Sequence, residues 1–115
     1  MNLNNYASLE ASKRLYYSDI VLDTEMCWEV GAKATRLTRW EVRSLSKSFR
    51  YAAPSMAEVW RELPEEIMEY NSLFCVKSWG KTLCYYHGKM QFSCFNPTDA
   101  LIDLLIWVKE ASHEG

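Results

Sequence analysis

NSLFCVKSWGKTLCYYHGKMQFSCF, residues 71–95, followed by NPTDALIDLLIWV, residues 96–108, decides the fold. Trp79-Gly80 and His87-Gly88 read as two-residue turns in which glycine supplies positive φ, so the first stretch divides into three short antiparallel strands. That register sets Cys75 opposite Cys84 and Leu83 opposite Phe92. It gathers Phe74, Val76, Leu83, Tyr85, Met90, Phe92 and Cys94 on one face, the side expected to lie beneath helices together with Trp28 and Trp40. Asn96 then caps a closing helix with Pro97 at its first position and Asp99 in its first turn. Leu101, Leu104, Leu105 and Val108 form the inner stripe of that helix.

Upstream, Ser8 is a suitable N-cap for a helix over residues 9–19, with Glu10 in the first turn where the helix dipole favours it. Ala11, Leu15, Tyr16 and Ile20 are its inward candidates. Residues 25–30 alternate, with Met26, Trp28 and Val30 on one side and Glu25, Cys27 and Glu29 on the other, the period of a half-buried strand. A second strand over 37–43, with Trp40 and Val42 opposing Arg39, Glu41 and Arg43, would complete a hairpin. Residues 44–53 read as an irregular, basic segment. Ser55 and Glu58 have the spacing of a capping box, and Met56, Val59, Trp60 and Leu63 continue it as a core-facing stripe until Pro64 ends the helix.

The expected architecture is therefore α+β: a two-layer fold with a mostly antiparallel sheet, two plus three strands, and about three helices packed on one face. At 115 residues, one domain over 1–115 is expected. Five Trp, seven Tyr and four Phe exclude a disordered chain. No apolar run reaches the ~18 residues that span a bilayer, and the first residues lack the basic and apolar parts of a secretion signal. A cytoplasmic location without membrane contact is the expectation, with Cys27, Cys75, Cys84 and Cys94 as reduced thiols.

Three phrases carry a likeness. YAAPSMAEVWRELP (51–64), SLEASKRL (8–15) and PTDALIDLLIW (97–107) resemble small uncharacterised proteins of phages, prophages and gut bacteria. The resemblance spans most of the chain and implies a mobile-element origin. It brings no activity, cofactor or functional residue with it.

Chemistry-bearing clusters are incomplete. Cys84 and His87, with Cys75 across the ladder, would form half a zinc site, but a second closely spaced pair is missing. As nucleophile and base, Cys84 and His87 stand three apart on a strand and lean to opposite faces, without an orienting third group. A cross-strand Cys75–Cys84 disulfide fits the register, and reduced thiols are preferred for a cytoplasmic chain. Glu62, Glu65, Glu66 and Glu69 read as a solvated acidic surface around a helix end. No catalytic, cofactor-binding or metal residue is assigned, and the protein is not expected to be an enzyme.

Charge is uneven: net −3 over residues 1–32, +5 over 33–50 and −4 over 51–115. Arg36, Arg39 and Arg43, placed on the outward side of the second strand, together with Lys47 and Arg50, are candidate nucleic-acid contacts, with Phe49 and Tyr51 as stacking rings. The acidic total and the missing recognition motif make this the second reading. The first is a non-catalytic module that binds an unknown protein partner. One form of that contact is a homodimer, because Ile102 and Ile106 extend the apolar surface of the closing helix beyond its inner stripe.

Overall fold

The computed structural model describes residues 5–64, 73–78, 81–86, 91–94 and 96–114, with only the backbone described for the strands after residue 72 and for 111–114. Helix α1 spans Leu9–Tyr17, followed by strands β1 (Met26–Val30), β2 (Thr35–Arg39) and β3 (Phe49–Ala52). Helix α2 (Met56–Glu62) leads to β4 (Leu73–Ser78), β5 (Lys81–Tyr86) and β6 (Gln91–Cys94), and α3 (Pro97–Glu114) closes the order. The fold is α+β with antiparallel pairing throughout the described strands.

The strands divide differently from the expected two plus three. They form two three-stranded sheets, β2-β1-β3 and β4-β5-β6. The additional strand is β3, drawn from the segment read as irregular, and it pairs along β1 from Cys27↔Ala52 to Val30↔Phe49. The second strand ends at Arg39 rather than at residue 43, because the chain must leave the β2 edge and cross β1 to reach the opposite edge.

In the other sheet Cys75 lies opposite Cys84, as the sequence predicts. The next pairing is displaced by one residue: Cys84 faces Phe92 and Leu83 faces Ser93. Leu83 and Phe92 consequently fall on opposite faces of the ladder, which overturns their expected shared face. An odd number of residues between the paired positions replaces the even one that a two-residue turn requires, and loop length fixes register in a hairpin. The turn residues Trp79, Gly80, His87 and Gly88 and the acidic residues Glu65, Glu66 and Glu69 lie outside the described residues. So do the side chains of Cys75, Cys84 and His113.

The described core is helical. Ala11 and Leu15 of α1, Val59 of α2 and Leu101, Leu104 and Leu105 of α3 are all buried, with Leu22 and Leu63 beside them. Here α1 and α2 both pack on α3, α1 also lies against β3, and α3 lies against β5 and β6. Local chemistry sets each helix. Ser8 Oγ accepts from the Ala11 amide, and the Ser55–Glu58 capping box is closed in both directions at 3.2 and 2.8 Å. Asn96 Oδ1 accepts from the Thr98 and Asp99 amides.

Helix α1 stops in a Schellman arrangement. The Asp19 amide bonds Tyr16 O and the Ile20 amide bonds Leu15 O, with Asp19 at φ 58°. The stop comes two residues before the expected end and leaves Tyr16 half exposed rather than inward. The ends of the described chain are joined through α3: Asp99 Oδ1 accepts the Ser8 amide at 2.8 Å, and Asn96 Nδ2 donates to Tyr6 O at 3.0 Å.

Candidate interaction site

Alternation in β1 places Cys27 and Glu29 on one face and Met26, Trp28 and Val30 on the other. The apolar set was expected to be the buried one. Met26 is buried as expected, but Cys27 and Glu29 are wholly buried too, while Trp28 and Val30 are only half-buried. The Trp28 face is covered by the chain around α1, where the indole Nε1 donates to Ala7 O. The Glu29 face is covered by loop 40–48, which crosses from β2 to β3.

A crossing loop brings backbone carbonyls and amides over a sheet, and each must find a partner. Glu29 stands directly opposite Arg36 on β2 and Arg50 on β3. Arg36 Nε reaches Oε1 at 2.7 Å, and Arg50 Nε reaches Oε2 at 3.0 Å. Both remaining nitrogens of Arg50 and one of Arg36 serve the loop. Arg50 donates to Trp40 O and Val42 O, and Arg36 donates to Arg43 O. Oε2 of Glu29 also accepts from the Leu45 amide and the Ser48 hydroxyl, at 3.0 and 2.9 Å. One carboxylate thus holds two strands and the loop above them.

Burial by itself would push the Glu29 carboxyl up. Donation from Ser48, Arg36, Arg50 and the Leu45 amide outweighs it and holds the pKa at about 2. Burial pushes the neighbouring Cys27 thiol up. Gly31 lies under the loop for steric reasons: a Cβ there would stand 3.3 Å from Ala34 O and 3.7 Å from Leu45 Cδ1.

With its polar backbone bonded inward, the loop leaves large apolar side chains outside. Trp40 and Val42 are each 40% exposed and Leu45 is 37% exposed. Trp40 was expected in the core. Its ring instead rests at the loop edge, with Nε1 donating to Thr24 Oγ1 at 3.0 Å. Val42 is pinned by its own amide bonding Arg39 O, and Leu45 by its amide bonding Glu29 Oε2. The display is tied down by hydrogen bonds rather than carried on a free loop tip.

The five basic candidates therefore separate. Arg36 and Arg39 are three apart on β2 and alternate in face, so they do not share an outward side. Arg36 and Arg50 are committed to Glu29, and the Arg50 side chain is only 11% exposed. Arg39, Arg43 and Lys47 are exposed, Arg39 lying 3.9 Å from Glu41. Arg43 is in the loop and not on a strand. Of the self-association pair, Ile102 is wholly buried inside the chain, and Ile106 is half-buried against the same core. The ridge offered to a second copy thus loses one of its two residues to the helical core.

A second exposed cluster lies on the opposite face of the first sheet. Tyr16, Tyr17, Phe49 and Tyr51 pack edge to face or tilted at centroid distances of 4.8 to 5.4 Å, with Lys13 Nζ over the Tyr51 ring. The hydrogen bond that the Tyr51 hydroxyl donates to Tyr17 pushes the Tyr51 phenol up. Among the described residues, no three His, Cys, Asp or Glu side chains gather to hold a metal ion. No helix among them is long and apolar enough to cross a membrane. The chain matches no protein-family model, no curated protein and no solved structure.

Proposed function

We propose that the chain is a small, single-domain accessory protein of phage or prophage type that works in the cytoplasm without catalysis, by binding another protein through loop 40–48. The observation that carries the reading is a division of labour within that loop. Its backbone is bonded to Glu29, Arg36 and Arg50, and Trp40, Val42 and Leu45 remain exposed above them. A fixed apolar surface binds with little ordering cost, and Trp is prominent among residues that anchor interfaces. The mobile-element part rests on the likeness of residues 8–15, 51–64 and 97–107.

Site-specific photo-crosslinking tests the binding reading. A benzophenone amino acid at position 40, in cells that express the protein, should give a discrete protein adduct that Leu45→Glu abolishes. An adduct pattern the same as that from a probe at exposed Glu10 would count against the loop.

The second reading, nucleic-acid binding, draws on exposed Arg39, Arg43 and Lys47 and on the exposed Trp40 ring. Three phosphate contacts to a single strand give a salt slope of roughly −2. Submicromolar binding to an oligonucleotide with that slope, flattened by Arg39→Gln and Arg43→Gln together, would promote it.

A further inference from the structure

Resting on the protein-binding reading, we propose that the partner segment is an acidic peptide with large apolar side chains set among its carboxylates. Charge complementarity is the first ground. Lys33, Arg39, Arg43 and Lys47 are all exposed, and Glu41 is the single carboxylate within residues 33–50. With Arg36 and Arg50 bonded to Glu29, the surface of this segment still presents a net +3. Gly31, two residues before Lys33, lies close to Leu45 and Ser48 of the loop.

The second ground is the mixture of side chains. Exposed Trp40, Val42 and Leu45 share one loop with the cations Arg43 and Lys47, a mixture in which apolar side chains set the off-rate and charges steer the encounter. A single strand of nucleic acid would use the charges and one ring, but it has no use for the two aliphatic residues, since stacking needs aromatic faces. An anionic membrane would draw the tip of the loop inward and with it the Glu41 side chain, which stands between Trp40 and Val42 and is 71% exposed. A carboxylate in that position opposes insertion. A peptide leaves Glu41 in water at the edge of the contact.

The test is selection from a displayed library of random peptides of about twelve residues on the full chain, followed by titration of the enriched peptides. Expected are sequences rich in Asp and Glu around Trp, Phe or Leu. Their affinity should fall about tenfold with Arg43→Gln and Lys47→Asn combined, mainly through the on-rate, and about tenfold as salt rises from about 0.05 to about 0.5 M. Asn suits position 47, where φ is 54°. Trp40→Ala, or Leu45→Ser should Trp40→Ala fail to fold by circular dichroism, should weaken binding through the off-rate.

Enriched peptides without carboxylates that still depend on Trp40 or Leu45 would overturn the acidic partner and leave the binding reading intact. Peptides that depend on neither residue would overturn both. Stronger binding of oligothymidylate, or of phosphatidylserine vesicles, with the same residue dependence would also overturn the proposal, in favour of nucleic acid or membrane.

Discussion

Arg50 and Glu29 are direct partners across the β1–β3 ladder, with Nε 3.0 Å from Oε2 and almost no solvent at either side chain. Breaking a buried pair is costly whereas exposed pairs contribute little, and without Arg50 the Glu29 carboxylate keeps only Arg36, Ser48 and the Leu45 amide. Arg50 also holds Trp40 O and Val42 O, so its loss frees the loop as well. Arg50→Met should lower unfolding free energy by about 3 kcal/mol in urea titrations. A loss under about 1 kcal/mol would place the pair with ordinary surface bridges.

Acid should act on the same carboxylate. The Glu29 pKa is held at about 2 in the folded chain, against 4.5 for the free side chain. A depressed carboxylate contributes stability that is complete above the unfolded value and is lost as pH falls through the folded one. Urea midpoints should therefore decline from about pH 4.5 towards about pH 2. Glu29→Gln should be less stable at neutral pH and should show a flatter decline across that window. Parallel curves for the two proteins would exclude Glu29 as a source of the acid sensitivity.

Asp19 closes α1 in the left-handed region, at φ 58°, where glycine is the unstrained choice. Asp19 also follows the C-terminal end of the helix, where the dipole disfavours a negative charge. Asp19→Gly should accordingly stabilise the protein by about 0.5 to 1 kcal/mol, an effect that thermal unfolding resolves. A lower melting temperature would mean that the Asp19 side chain has a favourable partner in solution.

The two isoleucines of α3 should behave differently. Ile102 is wholly buried among Leu101, Leu105 and their neighbours, so Ile102→Ala should destabilise by about 2 to 4 kcal/mol. Ile106 is only half-buried, and Ile106→Ala should cost about half as much. Denaturation gives both values. Sedimentation equilibrium of Ile102→Ala checks the other assignment, because a folded monomer arising from a wild-type dimer would restore Ile102 to an interface.

The features legible in the sequence are those decided within a few residues. Ser8, the Ser55–Glu58 box and Asn96-Pro97 each announce a helix start, and the structure closes each with the expected bonds. The Cys75–Cys84 pairing followed from one turn length. The burial of Glu29 is not legible, because alternation alone cannot say which face of a strand is covered, and Met26, Trp28 and Val30 read as the inner set. Its burial depends on Arg36 and Arg50, brought alongside by the β2-β1-β3 order, and on a loop folded across all three. A glutamate midway along a strand, followed by arginines at the start of one later strand and within another, is the signal that could have found it. The displaced pairing of Leu83 had a similar origin, since one extra residue in a hairpin reverses the faces beyond it.

The bonds from Asp99 to Ser8 and from Asn96 to Tyr6 join residues about ninety positions apart, and this bears on the order in which the molecule assembles. Closing so long a segment is entropically costly until many contacts form at once. The β1–β2 and β4–β5 hairpins close over short segments and can form early. The helical core draws α1 from one end of the chain and α3 from the other, so it belongs to the last cooperative step. Until then Leu15, Val59 and the leucines of α3 remain in contact with water, and refolding is most exposed to aggregation in that interval.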